Sequence, residues 1–252
     1  MGKADLHIHS TYSYDSSNTV SAILDWAANA TDLDIIAITD HDQIDGALEA
    51  RDKSQAYGIE VVPGIEVSTR EGHLLALFVE RLIPAGLSFH ETVLRVAEAG
   101  GICIAAHPYA FLTHGVTGDI VRETLTDPDA ARTLVGIEAI NTGLFFPKSN
   151  LHAGQLAEEV ALAAVANSDS HLIWTIGYGY TTFAGHKAED LRLALETRQT
   201  TPRTLSCRHS PGYFLSHIFH RAMRELGWVT WSPSPNSDLV FRRLSEVQPP
   251  IC

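Results

Sequence analysis

The sequence predicts an α/β fold, a closed and somewhat irregular barrel built from βα units. Three observations carry that prediction. Short apolar or β-branched runs alternate with longer amphipathic stretches, the pattern of strands joined by helices around a parallel sheet. No GxGxxG follows the first apolar run, so the open dinucleotide-binding sheet lacks its usual mark. Residues with metal-binding chemistry also recur at the C-terminal ends of the predicted strands, where a parallel barrel presents its active site.

Taken in order, strands are expected at Ala4–Ile8, Asp34–Thr39, Glu60–Val67, His73–Val79, Ile102–Ala106, Val135–Ile140, Ala163–Asn167 and Tyr178–Phe183. Each is a short run rich in Val, Ile, Leu or Ala. Helices are expected at Val20–Ala30, Ile44–Tyr57, Ser88–Ala99, Gly118–Leu125, Asn150–Val160 and Ala188–Arg198, with a last amphipathic segment at Tyr213–Leu226. Roughly seven βα units favour a barrel over a doubly wound sheet. There is no internal repeat and no linker, so residues 1–252 are read as one domain. From about Ser232 the chain carries Pro233, Pro235, Pro249 and Pro250 and reads as a loosely packed tail.

Composition narrows the function. Hydrophobic residues make up 45% and charged residues 19%, as in an ordinary globular protein. Thirty acidic against 18 basic residues give a formal charge of −12, which repels phosphate backbones and disfavours extended nucleic-acid binding. A small anion is another matter, because two or three divalent cations would add about +4 to +6 locally. Cys103, Cys207 and Cys252 have no CxxC spacing, and Cys103 lies in an apolar run; a reducing, cytoplasmic setting fits. No apolar run approaches the ~18 residues of a membrane span, and no membrane partner is expected.

Thirteen histidines stand out. His7 and His9 lie at i and i+2 at the end of the first strand, so both imidazoles face one side and can share a metal ion. Asp5 is placed to hold an imidazole from behind. In Thr39-Asp-His-Asp42, His41 is the candidate ligand, Asp40 orients a ligand or handles a proton, and Asp42 reads first as a helix N-cap. Glu66 closes the third strand, and among histidines a carboxylate can bridge two cations with its two oxygens. After the turn-like Thr69-Arg-Glu-Gly72, a tight hairpin could set His73 across from Glu66. His107 ends the fifth strand before Pro108. Asp169 and His171 are again two apart, but at a strand-to-loop transition, where they can diverge toward different metals. His114, His152, His186, His209, His217 and His220 have no such setting. With no GxSxG and no Cys/His pairing, activated water is the expected attacker.

DLHIHS, TDHD, GIE, AHP and SDSH, in that order over residues 5–171, resemble the PHP (polymerase and histidinol phosphatase) family, in particular its small stand-alone phosphoesterases. The resemblance implies a distorted (β/α)7 TIM-like barrel with two or three Mn, Zn or Fe ions. It implies that His7, His9, Glu66 and Asp169 surround one metal, and that Glu66 bridges to a second held by His107 and His73. Asp15, His41 and His171 would hold a third; Asp15 is promoted by the family pattern alone. Within Gly136-Ile-Glu-Ala-Ile-Asn141, Glu138 and Asn141 would face the cleft. The short segment between Glu66 and His107 differs from the longer insertion frequent in nucleotide-acting members.

The expected function is hydrolysis of a small phosphorylated substrate, a phosphomonoester or a nucleotide. A metal-bridging hydroxide attacks phosphorus, with Asp40, His41 and Glu66 as catalytic candidates. Arg70, Lys148, Arg203 and Arg208 are candidate phosphate clamps. Two alternatives remain at this stage: a 5′–3′ exonuclease on short oligonucleotides, and a non-catalytic metal-binding regulatory module.

Overall fold

A computed structural model describes residues 1–143 and 147–205. The elements run β1 (Gly2–Ile8), α1 (Val20–Ala30), β2 (Ile35–Ile38), α2 (Asp45–Tyr57), β3 (Glu60–Ser68), β4 (His73–Leu77), α3 (Phe89–Glu98) and β5 (Ile102–Ala105). They continue as α4 (Gly118–Thr124), α5 (Pro128–Thr133), β6 (Leu134–Asn141), α6 (Pro147–Glu159), β7 (Ala163–Asn167), β8 (Gly179–Phe183), α7 (Ala188–Glu196) and β9 (Thr201–Thr204). The expected helix at Tyr213–Leu226, the proline-rich tail, Cys207, Arg208, His209, His217 and His220 lie outside the described residues.

One nine-stranded sheet runs in the order β7-β6-β5-β4-β3-β2-β1-β8-β9 and curls into a nearly closed, distorted barrel. β1, though interior to that order, is tied directly to the C-terminal end of β7 across the barrel. Leu6 N donates to Asn167 Oδ1 at 3.0 Å, and Ser168 N donates to Asp5 Oδ1 at 3.0 Å. Beyond these, His9 N donates to Ser170 O at 2.9 Å. Asp5 therefore closes the barrel, and the expectation that it would hold an imidazole is corrected: its second oxygen accepts from Gly177 N at 2.8 Å.

The sheet is mixed. β1, β2 and β3 are parallel neighbours, as are β5, β6 and β7. β4 pairs antiparallel with both β3 and β5, and β8 pairs antiparallel with β1 and β9. The four-residue turn Thr69–Gly72, where the sequence suggested a tight hairpin, sets the first antiparallel pairing. Thr69 Oγ1 is held within it by Gly72, and a turn this short can return the chain only antiparallel.

Local chemistry explains the helices. Thr19 caps α1 by accepting from Ala22 N at 3.2 Å, and Val20, Ile23, Leu24 and Ala27 bury one face. Ser88 and Glu91 form a reciprocal capping box on α3. Asp127 and Pro128 open α5, which the sequence reading passed over. The short strand Ile102–Ala105 is buried throughout, as expected of a strand covered on both faces. α7 lies across the end of the barrel where β3 begins. Ala188 N donates to Glu60 Oε1 at 3.1 Å, and Leu191 and Leu195 join Leu75, Leu77, Val62 and Phe183 in the interior cluster. That end is plugged with apolar side chains, which leaves the other end for chemistry.

Candidate metal centre

At the open end, the residues that follow the strands converge on Glu66. Its Oε2 lies 3.2 Å from His7 Nε2, 3.3 Å from His9 Nε2 and 3.1 Å from His41 Nδ1. Its Oε1 lies 2.8 Å from His73 Nδ1 and 2.9 Å from His107 Nε2. Asp169 Oδ1 faces the same His7 and His9 nitrogens at 3.4 and 3.2 Å. Further out, Asp15 Oδ2 lies 3.2 Å from His171 Nε2 and 3.5 Å from His41 Nε2.

All nine sequence-derived ligand candidates are thus brought together. Their donor atoms form four overlapping groups, each with its atoms within 4.8 Å of one another: His9, Asp15, His41 and His171; His7, His9 and Glu66; His7, His107 and Asp169; and His41, Glu66 and His73. His73 sits opposite Ser68 in the β3–β4 hairpin and leans across to Glu66, as the turn predicted. Asp169 and His171 do diverge: Asp169 has a left-handed φ of 51° and turns inward, while His171 joins Asp15. His107 and Asp42 also carry positive φ where strands end, a conformation that costs a non-glycine residue about 1–3 kcal/mol and recurs at functional sites.

The hydrogen bonding fits a cation. His7 Nδ1 lies 3.0 Å from Glu138 Oε1, and a carboxylate there only accepts, so Nδ1 carries the proton. The lone pair of Nε2 then points at the Glu66 and Asp169 oxygens. Nitrogen and oxygen lone pairs facing each other at such distances call for a positive charge between them. His7 Nε2 and His9 Nε2 are buried and have no hydrogen-bond partner, and both face the Glu66 and Asp169 oxygens, as ligand atoms around a cation would.

Electrostatics agree. Burial opposes ionisation of Glu66, but the imidazoles of His41, His7 and His73 overcome it and hold the carboxyl well below its usual range. Asp169 is likewise buried and held well below its range by His7, His9 and His171. Burial opposes charging of His7, yet Asp169, Glu66 and Glu138 raise it well above an ordinary imidazole. A site that attracts protons this strongly attracts metal cations for the same reason.

Other expectations find different places. Asp42 does not cap α2, whose N-cap is Ile44; its carboxylate accepts instead from Ser68 N at 2.7 Å. Asp40 is buried behind the ligands, taking Ser10 N at 2.6 Å and Ser10 Oγ at 2.7 Å. Arg70 turns away from the cluster toward Glu71 and Glu91, at 3.7 and 3.6 Å. Arg203 is exposed on β9 opposite Tyr180. Lys148 lies exposed in the first turn of α6, which follows the site end of β6.

Glu138 and Asn141, which the family resemblance set facing the cleft, stand directly behind the ligands. Glu138 collects His7 Nδ1, His107 N at 2.8 Å, Asn141 Nδ2 at 2.9 Å and Asn167 Nδ2 at 2.8 Å. Asn141 also donates to Asp169 Oδ2 at 3.0 Å. His114 meets His73 edge-on with ring centroids 5.5 Å apart, and its carbonyl accepts from His73 N at 3.0 Å. Tyr14 stacks on His41 at 5.2 Å.

A nearly closed barrel whose strand ends gather six imidazoles and three carboxylates defines a class of metal-site α/β proteins, and comparison gives the family. The chain belongs to the PHP domain family, which it matches over residues 5–228. Over 118 residues it is 41% identical to an uncharacterised protein of Methanocaldococcus jannaschii, covering 43% of this chain and 68% of that one. Over 87 residues it is 41% identical to a phosphoribosyl 1,2-cyclic phosphate 1,2-diphosphodiesterase of Eggerthella lenta, covering 32% of each chain. Among solved structures, a two-domain protein from Bacteroides vulgatus, described as containing a predicted PHP-like metal-dependent phosphoesterase, aligns with a TM-score of 0.66 at 19% identity. That alignment covers 86% of this chain and 68% of the other. No helix among the described residues is long and apolar enough to cross a membrane.

Proposed function

We propose that the chain is a metal-dependent phosphoesterase that hydrolyses a small phosphorylated substrate, a phosphomonoester or a nucleotide, with two or three Mn, Zn or Fe ions. The observation that carries this reading is Glu66, a buried carboxylate whose two oxygens each face a different set of imidazoles. Such a group can span two cations. The diphosphodiesterase named among its relatives supports phosphate as the reacting group, over the short stretch it shares.

Bound divalent ions would neutralise charge on the phosphoryl oxygens and acidify water. The chain's own residues do the rest. His7, His9, His107 and Glu66 have side chains no more than 2% exposed, so they hold fixed positions and exclude bulk water from the inner end. His41, His73, His171 and Asp15 are 9 to 17% exposed and form the mouth. These outer side chains would hold cations where the substrate enters. The net charge of −12 steers long polyanions away while leaving a small one free to enter.

The test is turnover on a panel of phosphomonoesters, cyclic phosphodiesters, nucleotides and short oligonucleotides with Mn, Zn or Fe, in the native chain and in His9→Ala. Metal-dependent release of phosphate or of a free hydroxyl, abolished in His9→Ala, is the expected result. Absence of turnover on the whole panel would sink the reading, and preference for oligonucleotides would move it to a nuclease.

A further inference from the structure

Among the described residues, the exposed phenylalanine, tyrosine and tryptophan side chains are Tyr12, Tyr14, Phe111 and Trp174. All four stand on loops that leave β1, β5 or β7 at the metal end of the barrel. Scattered exposed apolar residues are ordinary on a protein surface. Aromatic rings gathered around one opening are not, and ligand sites are commonly lined by them. Tyr12 has a local role, since its hydroxyl donates to Glu49 Oε2 at 2.8 Å. Tyr14 lies against a candidate ligand.

Tyr14 immediately precedes Asp15, whose Oδ2 lies 3.2 Å from His171 Nε2, so the backbone sets it at the lip of the cluster. Its ring stacks on the His41 imidazole, with centroids 5.2 Å apart and planes inclined by 23°. The His41 ring lies 4.7 Å from that of His9, so a single ring separates Tyr14 from the buried ligands. A plainer account makes Tyr14 a cover for His41. A cover would share the low exposure of what it covers, yet Tyr14 is 70% exposed against 9% for the His41 side chain. Most of the tyrosine ring stays in water, which forgoes the burial that ordinarily stabilises an aromatic side chain. A second flat ring laid on it would bury that surface.

We propose that Tyr14 is a specificity-determining residue whose outer ring face stacks on the nucleobase of a nucleotide substrate, the phosphate of which lies at the adjoining metal cluster. The inference rests on the phosphoesterase reading and narrows it, from a phosphomonoester or a nucleotide to the nucleotide. Stacking suits a chain with a formal charge of −12, because it holds the organic part of the substrate without any basic side chain. Every base has a π-face, so stacking selects a nucleotide over a bare sugar phosphate and discriminates little among bases. Loss of one base–aromatic stack lowers affinity by about 5–150-fold.

The experiment is calorimetric binding of adenosine 3′- and 5′-monophosphates, and of ribose 5-phosphate, to the full chain loaded with Mn or Zn. It compares the native chain, Tyr14→Phe and Tyr14→Ala, with the metal content of each measured. Ribose 5-phosphate has the sugar and the phosphate but no base; for any ligand that is turned over, kcat/KM replaces affinity. The native chain should prefer at least one mononucleotide over ribose 5-phosphate by about 5–150-fold. Tyr14→Phe, which keeps the ring, should retain that ratio, and Tyr14→Ala should bring it close to one. A merely structural role would weaken both kinds of ligand together and leave the ratio intact. Four results would overturn the proposal: a native ratio near one, a native-like ratio in Tyr14→Ala, loss of the ratio in Tyr14→Phe, or loss of metal in Tyr14→Ala. A chain that shows the expected binding ratio yet hydrolyses no phosphoester would overturn the functional reading alone. One that hydrolyses sugar phosphates and nucleotides equally well would overturn only this inference.

Discussion

Asp5 and Ser168 join the first and last parallel strands of the barrel through one hydrogen bond, Ser168 N to Asp5 Oδ1 at 3.0 Å. The other Asp5 oxygen takes Gly177 N at 2.8 Å. Burial pushes this carboxyl up to about 6 despite those donors. Asp5→Ala leaves two buried N–H groups without partners, at about 1–3 kcal/mol each, so a loss of roughly 2–6 kcal/mol is expected. Denaturant unfolding checks this, and an unchanged midpoint would mean that another contact closes the barrel.

Gly46, in the first turn of α2, separates two opposing effects. Helix propensity alone would make Gly46→Ala stabilising by up to about 1 kcal/mol. A Cβ at this position, however, would lie 2.2 Å from Asp40 Oδ2 and 2.9 Å from Ser10 Oγ. Asp40 is buried and tied to Ser10 through both of its oxygens, so it has little room to yield. Overpacking of about 1–3 kcal/mol wins. Thermal unfolding should show a lower midpoint for Gly46→Ala, and a higher one would mean that Asp40 moves freely.

Arg70 tests the substrate-clamp expectation. Its guanidinium faces Glu71 and Glu91, 61% exposed, on the side of α3 rather than of the cluster. Exposed pairs of this kind contribute about 0–1 kcal/mol. Arg70→Ala should therefore leave KM for a phosphoester within about twofold and stability nearly unchanged. A tenfold rise in KM would show that the side chain swings to the substrate.

The ease with which the site can be read from sequence depends on how local each signal is. His7 and His9 declare themselves because strand alternation puts i and i+2 on one side, and Glu66, His107 and Asp169 because each ends an apolar strand. Asp15 lies in the polar loop Ser10–Ser16, where no periodicity marks it, and only the family pattern singled it out. Glu138 was set toward the cleft by the family pattern, but its bond to the His107 amide, 31 residues away, appears only once the chain is folded. Asp42 shows the opposite failure: its local pattern matches an N-cap, but Ser68 N, on the neighbouring strand, takes the carboxylate. Strand β9, Thr201–Thr204, is short and polar and exists because β8 offers it an edge.

The paired imidazoles and carboxylates give the metal-free and metal-loaded proteins opposite responses to pH. Burial lowers the tendency of His7, His9, His41 and His171 to charge, but neighbouring Asp169, Glu66 and Asp15 raise all four above the ordinary value of 6.5. In the metal-free protein the folded state then holds more protons than the unfolded chain above that value, so stability falls as pH rises through the raised range. At the acid end the sign reverses. Glu66 and Asp169 are held well below 4.5 and 3.8, and the stability they contribute is lost as pH falls toward those depressed values. The metal-free protein should therefore be most stable at mildly acid pH, between these two ranges. Metal binding needs the imidazoles deprotonated, so affinity, and with it the stability of the loaded protein, should rise over the same interval in which the stripped protein weakens. Melting temperatures of stripped and loaded protein from about pH 6 to 8 check this: the two curves should diverge with rising pH, and parallel curves would mean that protons and metal ions do not compete for these nitrogens.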